Sequence, residues 1–163
     1  MRLILFALLG ALLCCIGGCS IPISKPFSWT GFDAKKGVIA DNAGPTVVVA
    51  LTHATLFAEN RSAFDESANL VLDSMPRQPG LVGYSVRKQL FGDEVWTATV
   101  WTNEESLQRF AQSVEHMRAV SAGGAAVKTI RYRRFEMASS ELPLNWSRAL
   151  AVLDDGKTPL SAR

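Results

Sequence analysis

Cysteine is scarce in this chain of 163 residues: Cys14, Cys15 and Cys19 are the three, all at the N-terminus. A domain built from the residues after Cys19 has neither a disulfide nor a thiol nucleophile. Histidine is scarcer, with His53 and His116 alone, so the domain after Cys19 cannot assemble a tetrahedral zinc set of His and Cys. Neither sign of charge dominates. Lys and Arg number 17 against 15 Asp and Glu, a formal net charge of +2, which leaves no basic footprint for nucleic acid. There is no Gly-x-Ser-x-Gly elbow, phosphate-binding glycine loop or dinucleotide fingerprint, which argues against flavin or nicotinamide enzymes. No cofactor and no metal are expected. With 48% hydrophobic and 20% charged residues, collagen-like, disulfide-dense and disordered classes are excluded.

The apolar residues are unevenly spread. Of the first 18 residues, 14 are hydrophobic and only Arg2 is charged. Leu3 to Leu13 is broken only by Gly10. It is shorter than the roughly 18 to 20 apolar residues needed to span a bilayer, and reads as the core of a signal peptide, residues 1–18. The sequence Ile16-Gly17-Gly18-Cys19 resembles a bacterial lipobox, with Cys19 the lipid-modified residue. Cys14 and Cys15 fit that role worse, because bulky Leu13 and Cys14 precede them. The resemblance to Gram-negative lipoproteins implies, with Ser20 after the cysteine, the periplasmic face of the outer membrane. Two acyl signals on Cys19 would tie the protein stably to a lipid bilayer.

Residues 19–45 read as a tether, with Pro22, Pro26 and Pro45 and no sustained period. Phe27, Trp29 and Phe32 are unusual in a free linker and point to packing on the domain or a partner. From Thr46 a periodic domain begins. Val47 to Leu51 is a β-branched run that predicts a buried strand. Asn60 to Met75 predicts a helix through Phe64, Ala68, Val71 and Met75, stopped by Pro76 and Pro79-Gly80. Leu81 to Leu90 and Glu94 to Trp101 alternate about the turn Phe91-Gly92-Asp93, which predicts a hairpin. Thr102 and Glu105 have capping-box spacing for a second helix. Its apolar stripe is Leu107, Phe110, Ala111, Val114 and Met117. Ala126 to Met137 predicts a last strand. The domain, residues 46–137, therefore has the order β-α-β-β-α-β of a ferredoxin-like α+β fold with an antiparallel sheet. Residues 138–163 form an extension, with a short helix from Asn145 to Leu153 carrying Trp146. Alternation puts Trp96, Ala98 and Val100 on one face and Val95, Thr97, Thr99 and Trp101 on the other. Both faces need a cover, and a partner subunit is the simplest for the one without helices.

Across residues 46–136 the chain resembles the dimeric α+β barrel superfamily, which includes the antibiotic-biosynthesis monooxygenase-like domains. Pro79-Gly80-Leu81-Val82-Gly83-Tyr84 is similar to the family's lead into its second strand. Val100-Trp101-Thr102-Asn103-Glu104-Glu105-Ser106-Leu107, with Phe110 and His116, is similar to its third strand and the helix after it. The resemblance implies a homodimer. It does not imply haem degradation, because Phe110 and Val120 stand where that branch carries tryptophan and histidine. In the quinol-oxidising branch asparagine and tryptophan assist a cofactor-free reaction with oxygen; Trp101 matches one, while His53 stands where an asparagine is expected.

The candidate catalytic residues are His53, at the end of the first strand, and His116, each able to take a proton from a phenolic substrate. Helical phase puts His116 opposite Leu107, away from the stripe. Tyr84, Trp101 and Phe110 are the candidate ligand-binding residues. Arg131 and Arg133 share one face of the last strand and Lys128 and Arg134 the other, as charges on a sheet edge do. Two readings result: an envelope lipoprotein whose domain binds a small hydrophobic or aromatic ligand, or a cofactor-independent monooxygenase acting on a quinol-like aromatic.

Overall fold

A computed structural model describes residues 21–154. The expected signal peptide, residues 1–18, and Cys19, the residue expected to carry lipid, lie outside the described residues. In chain order the elements are β1 (Pro22–Ser24), β2 (Phe32–Asp33), β3 (Gly37–Val38), β4 (Thr46–Leu56), α1 (Arg61–Ser74), β5 (Leu81–Gln89), β6 (Glu94–Trp101), α2 (Glu104–Ala111), α3 (Val114–Gly123), β7 (Val127–Ala138) and α4 (Trp146–Asp154). An antiparallel sheet runs β1-β5-β6-β4-β7. Removing β1 leaves the expected ferredoxin-like arrangement, with β4 and β6 central and β7 an edge.

β4 reads as an unbroken hydrophobic run because both of its faces are buried. Val48 and Ala50 pack beneath the helices with Met75, Leu107 and Phe110. Val47, Val49 and Leu51 enter the second core with Ala98 and Val100. A bulge at the start of β5 sets the register. Leu81 pairs with Trp101 and Gly83 with Val100, so Val82 is the extra residue and joins Val47 and Leu51 in the second core. Gly80 makes the preceding turn possible. Its φ is +77, and a Cβ there would lie 2.2 Å from Ser106 Oγ, so only glycine lets α2 start this close to β5.

Two expectations for the second helix are corrected. Its cap is Asn103, whose side chain accepts from Ser106 N at 2.9 Å; Thr102 belongs to the strand end, with its N–H on Gly80 O. The single long helix is two. Ser113 Oγ accepts from His116 N and starts α3 afresh, which resets the helical phase. Val114 and Met117 are therefore exposed rather than part of a stripe, and α3 packs through Gly123 against Phe64 and Ser67 of α1.

The face opposite α1, α2 and α3 holds the largest departure from the sequence reading. The segment read as a tether is part of the fold. It runs along the free edge of β5, with Lys25 N on Val86 O (2.9 Å), Ser28 and Tyr84 exchanging bonds (2.8 and 3.0 Å) and Gly31 N on Val82 O (2.9 Å). Its aromatic residues then fold over the sheet. Phe27 stacks on Trp29, centroids 5.1 Å apart, and meets Trp146 of α4 at 5.8 Å; Trp29 meets Phe32 at 5.5 Å. Trp29 lies flat on Gly83, where a Cβ would fall 2.3 Å from the indole. Trp146 Nε1 donates to Ser85 Oγ (2.9 Å), which donates to Lys25 O (2.7 Å). Leu144, Ala149 and Leu153 complete the layer. The cover expected from a partner subunit is supplied here within one chain.

Trp29→Ala should lower unfolding free energy by about 2 kcal/mol, since it strips apolar area from the sheet and leaves a hole that Gly83 cannot fill. Urea denaturation checks this; a loss under about 0.5 kcal/mol, the scale of a surface substitution, would mean that the aromatic layer contributes little.

Candidate functional site

The sheet separates the candidate residues into two groups on opposite faces. Beneath the helices, Trp101 is fully buried, with its indole N–H donated to Thr99 Oγ1 two residues back at 2.8 Å. Phe110 of α2 stacks on it, centroids 5.0 Å apart, and His116 of α3 meets Phe110 at 4.8 Å. The break between α2 and α3 makes this possible. In one continuous helix His116 would point away from the stripe, whereas the restart at Ser113 carries it back onto Phe110. His116 Nδ1 lies 3.0 Å from Ala111 O. A carbonyl only accepts, so Nδ1 carries the proton and Nε2 keeps the lone pair. Burial holds this imidazole below its ordinary value of 6.5, against the opposing pull of the Ala111 carbonyl. The ring is neutral at pH 7, with a basic nitrogen available.

Tyr84 faces the same side, opposite Thr99 in the β5–β6 register, and packs on the Trp101 cluster. It also lines a cleft of about 280 Å³, between Lys25, Pro26 and Ser28 of the N-terminal segment and Leu72 and Asp73 of α1. Trp101 and Phe110 do not reach that cleft. They form the packed interior behind Tyr84.

His53 stands on the other face, as alternation predicts, and is not brought near the other four. Across the strands it sits in one row: Arg87 opposite Trp96, Trp96 opposite His53, His53 opposite Arg131. The imidazole stacks on Trp96 (4.7 Å between centroids, 10° between planes), and Arg87 lies over the same indole at 5.6 Å. Arg131 Nη2 is 2.8 Å from Nδ1. A guanidinium only donates, so Nδ1 accepts and Nε2–H is donated to Glu94 Oε1 at 3.1 Å. Gln89 holds the second Glu94 oxygen at 2.6 Å, and Asp154, the last residue of α4, is 3.7 Å from Arg131. Burial first, and Arg131 after it, lower the His53 value against the pull of Glu94. Both ring nitrogens are thus committed, so the role of free proton acceptor expected for His53 does not fit its surroundings.

Glu94 and Gln89 carry no signal in the sequence that marks them for this site. Alternation along β6 puts Glu94 on the Trp96 face, but only the β4–β6 register brings it to His53. On the helix side of β7, Arg134 pairs with Glu104 of α2 and donates to the Tyr132 hydroxyl, so this edge charge also ties the sheet to α2.

Residues 47–122 match the family model described as antibiotic biosynthesis monooxygenase. The domain is similar to that family over these residues. Solved structures agree in fold. A conserved protein from Methanosarcina mazei Go1 superposes with a TM-score of 0.52 at 12% identity, over 56% of this chain and 92% of that one. A conserved protein of unknown function from Bacteroides thetaiotaomicron gives 0.52 at 15% identity, over 58% of this chain and all of the other (100%). A candidate monooxygenase from Lactobacillus acidophilus gives 0.51 at 14% identity, over 63% of this chain; the match spans about half, 52%, of that structure. At such identities the monooxygenase-family likeness establishes the fold alone. No curated protein is similar enough in sequence to match. Among the described residues, no group of His, Cys, Asp and Glu could hold a metal ion.

Both histidines are less protonated in the folded domain than in the unfolded chain. As pH falls through the ordinary value of 6.5, the unfolded chain binds protons first. The stabilisation is thus complete above that value and declines below it until the folded groups protonate. His116→Gln should reduce the decline, measured as the shift in urea midpoint between about pH 7.5 and about pH 5.5; an unchanged shift would show that His116 contributes nothing to it.

Proposed function

We propose that this is an envelope-tethered binding protein: a monooxygenase-family domain, anchored to the lipid bilayer through acylated Cys19, that holds a small hydrophobic or aromatic ligand. The observation that carries the reading is the cleft against Tyr84. At about 280 Å³ it suits a single-ring ligand, being at the small end of ligand sites. It offers the phenol ring of Tyr84 with Leu72 and Val86 as apolar walls, and Ser28, Lys25 and Asp73 as polar groups at the rim. The closed interior supports the same reading. Trp101 is fully buried and bonded to its own strand, so it acts as the rigid backing for Tyr84 and not as an exposed platform. A homodimer, which the family resemblance implies, would need a surface other than the covered sheet face.

A catalytic alternative rests on one specific observation, the free Nε2 of a neutral His116. It could take a phenolic proton; dioxygen would then bond to a ring carbon as a hydroperoxide, and loss of water, made from the outer oxygen with its proton and the hydrogen of that carbon, would leave a quinone. His53, tied at both nitrogens, is not the base in that scheme.

Isothermal titration with 4-methylphenol tests the binding reading. Wild type should bind, and Tyr84→Ala should weaken binding about tenfold, the loss of one aromatic contact. Equal affinity in the two proteins would place the ligand elsewhere. Oxygen uptake on methylhydroquinone that His116→Gln abolishes while affinity persists would favour the enzyme.

A further inference from the structure

Four large apolar side chains crowd the end of the sheet where the β5–β6 hairpin turns. Phe91 is 76% exposed, Ile21 57%, Leu90 49% and Phe57 40%. They are held together by backbone. Leu90 N donates to Ile21 O at 2.9 Å, and Leu56 N to Asp93 O at 2.8 Å, which sets Phe57 beside the turn. Arg61 of α1 braces the same end by donating to Gln89 O at 2.7 Å. The apolar tip is therefore a fixed surface. This chain covers both faces of its sheet with its own segments; at this end it leaves two aromatic and two aliphatic side chains exposed, as proteins do where something docks.

The chain's own path says what docks. Ile21 belongs to the tip, and Cys19 precedes it by two residues, behind a stretch in which 14 of 18 residues are hydrophobic. Two residues reach at most about 7 Å. An acyl group on Cys19 would keep this end of the domain against the bilayer surface, with no free tether between. The charges nearby are mixed: Arg61 and the Lys88–Asp65 pair, with Asp93 in the turn. Apolar burial, not attraction to anionic headgroups, would then set the contact.

We infer that Ile21, Phe57, Leu90 and Phe91 form a membrane-docking surface, seated in the interfacial layer of the bilayer that carries the protein. The anchor itself belongs to the function proposed above, on which this surface rests; the docked tip adds the orientation of the domain. The hairpin tip points into the lipid, and the far end of β5, near Ile39, points away.

Hydrogen-exchange mass spectrometry on the full chain in phosphatidylcholine nanodiscs tests this, comparing wild type with the Leu90→Ser/Phe91→Ser double variant. Both changes are at exposed positions, and unchanged protection in β4 and β6 verifies the fold. Docking requires the amides of residues 90–93 to exchange about tenfold more slowly in wild type, with equal rates around Ile39. Equal rates at the tip in the two proteins would overturn the docking surface. The N-terminal peptide in the same digest reports its acyl mass. A peptide without acyl chains would refute the anchor at Cys19, while the tip amides would still decide docking.

Discussion

A five-stranded sheet with apolar side chains on both faces is unstable in water unless both are covered, and this chain meets that constraint with its own ends. Helices α1, α2 and α3 cover one face. The other is covered by Phe27, Trp29 and Phe32 from before the domain and by Trp146, Ala149 and Leu153 from after it. Glycine at position 83 lets the Trp29 indole rest directly on the backbone of β5. A serine–tryptophan bond between Ser85 and Trp146 fixes where the two ends meet. Hydrogen bonding along the β5 edge holds the incoming segment in register while hydrophobic burial supplies the stabilisation.

The location of the candidate site depends on that closure. The N-terminal segment crosses the edge of β5 beside α1, and the cleft against Tyr84 exists because Lys25 to Ser28 form its outer wall. On the face that this layer covers, the row Arg87, Trp96, His53 and Arg131 meets Asp154 of α4, 3.7 Å from Arg131. His53, Glu94, Gln89 and Arg131 are bonded to one another on that face, while Arg87 Nε is buried without a partner. On the helix face the basic nitrogen left open is Nε2 of His116, whose ring reaches Phe110 through the break between α2 and α3.

Much of this was legible in the sequence, for reasons that can be named. Alternation from Val95 to Trp101 assigned these residues of β6 to their correct faces, because the side-chain period of a strand is two whatever it pairs with. Pro76 and Pro79-Gly80 ended α1 close to its observed end, since proline cannot continue a helix. Register was not legible: the link from His53 to Glu94 and Arg131 depends on which strand residues face each other, and the bulge at Val82 leaves no separate mark in the sequence. The restart of the helix at Ser113 was hidden because Val114 and Met117 continue an apolar spacing that the fold does not use. Phe27, Trp29 and Phe32 announced that the segment was no free linker, but proline and glycine around them concealed its pairing with β5.

The self-closed fold requires the cover to be intramolecular, and isotope-filtered NOE spectroscopy tests this most directly. In an equal mixture of labelled and unlabelled chains, the contacts of the Trp29 ring with Gly83 and of the Trp146 indole with Ser85 should arise within labelled chains only. Filtered cross-peaks between labelled and unlabelled chains at those pairs would show that a second copy covers the sheet, and would contradict the self-closed fold.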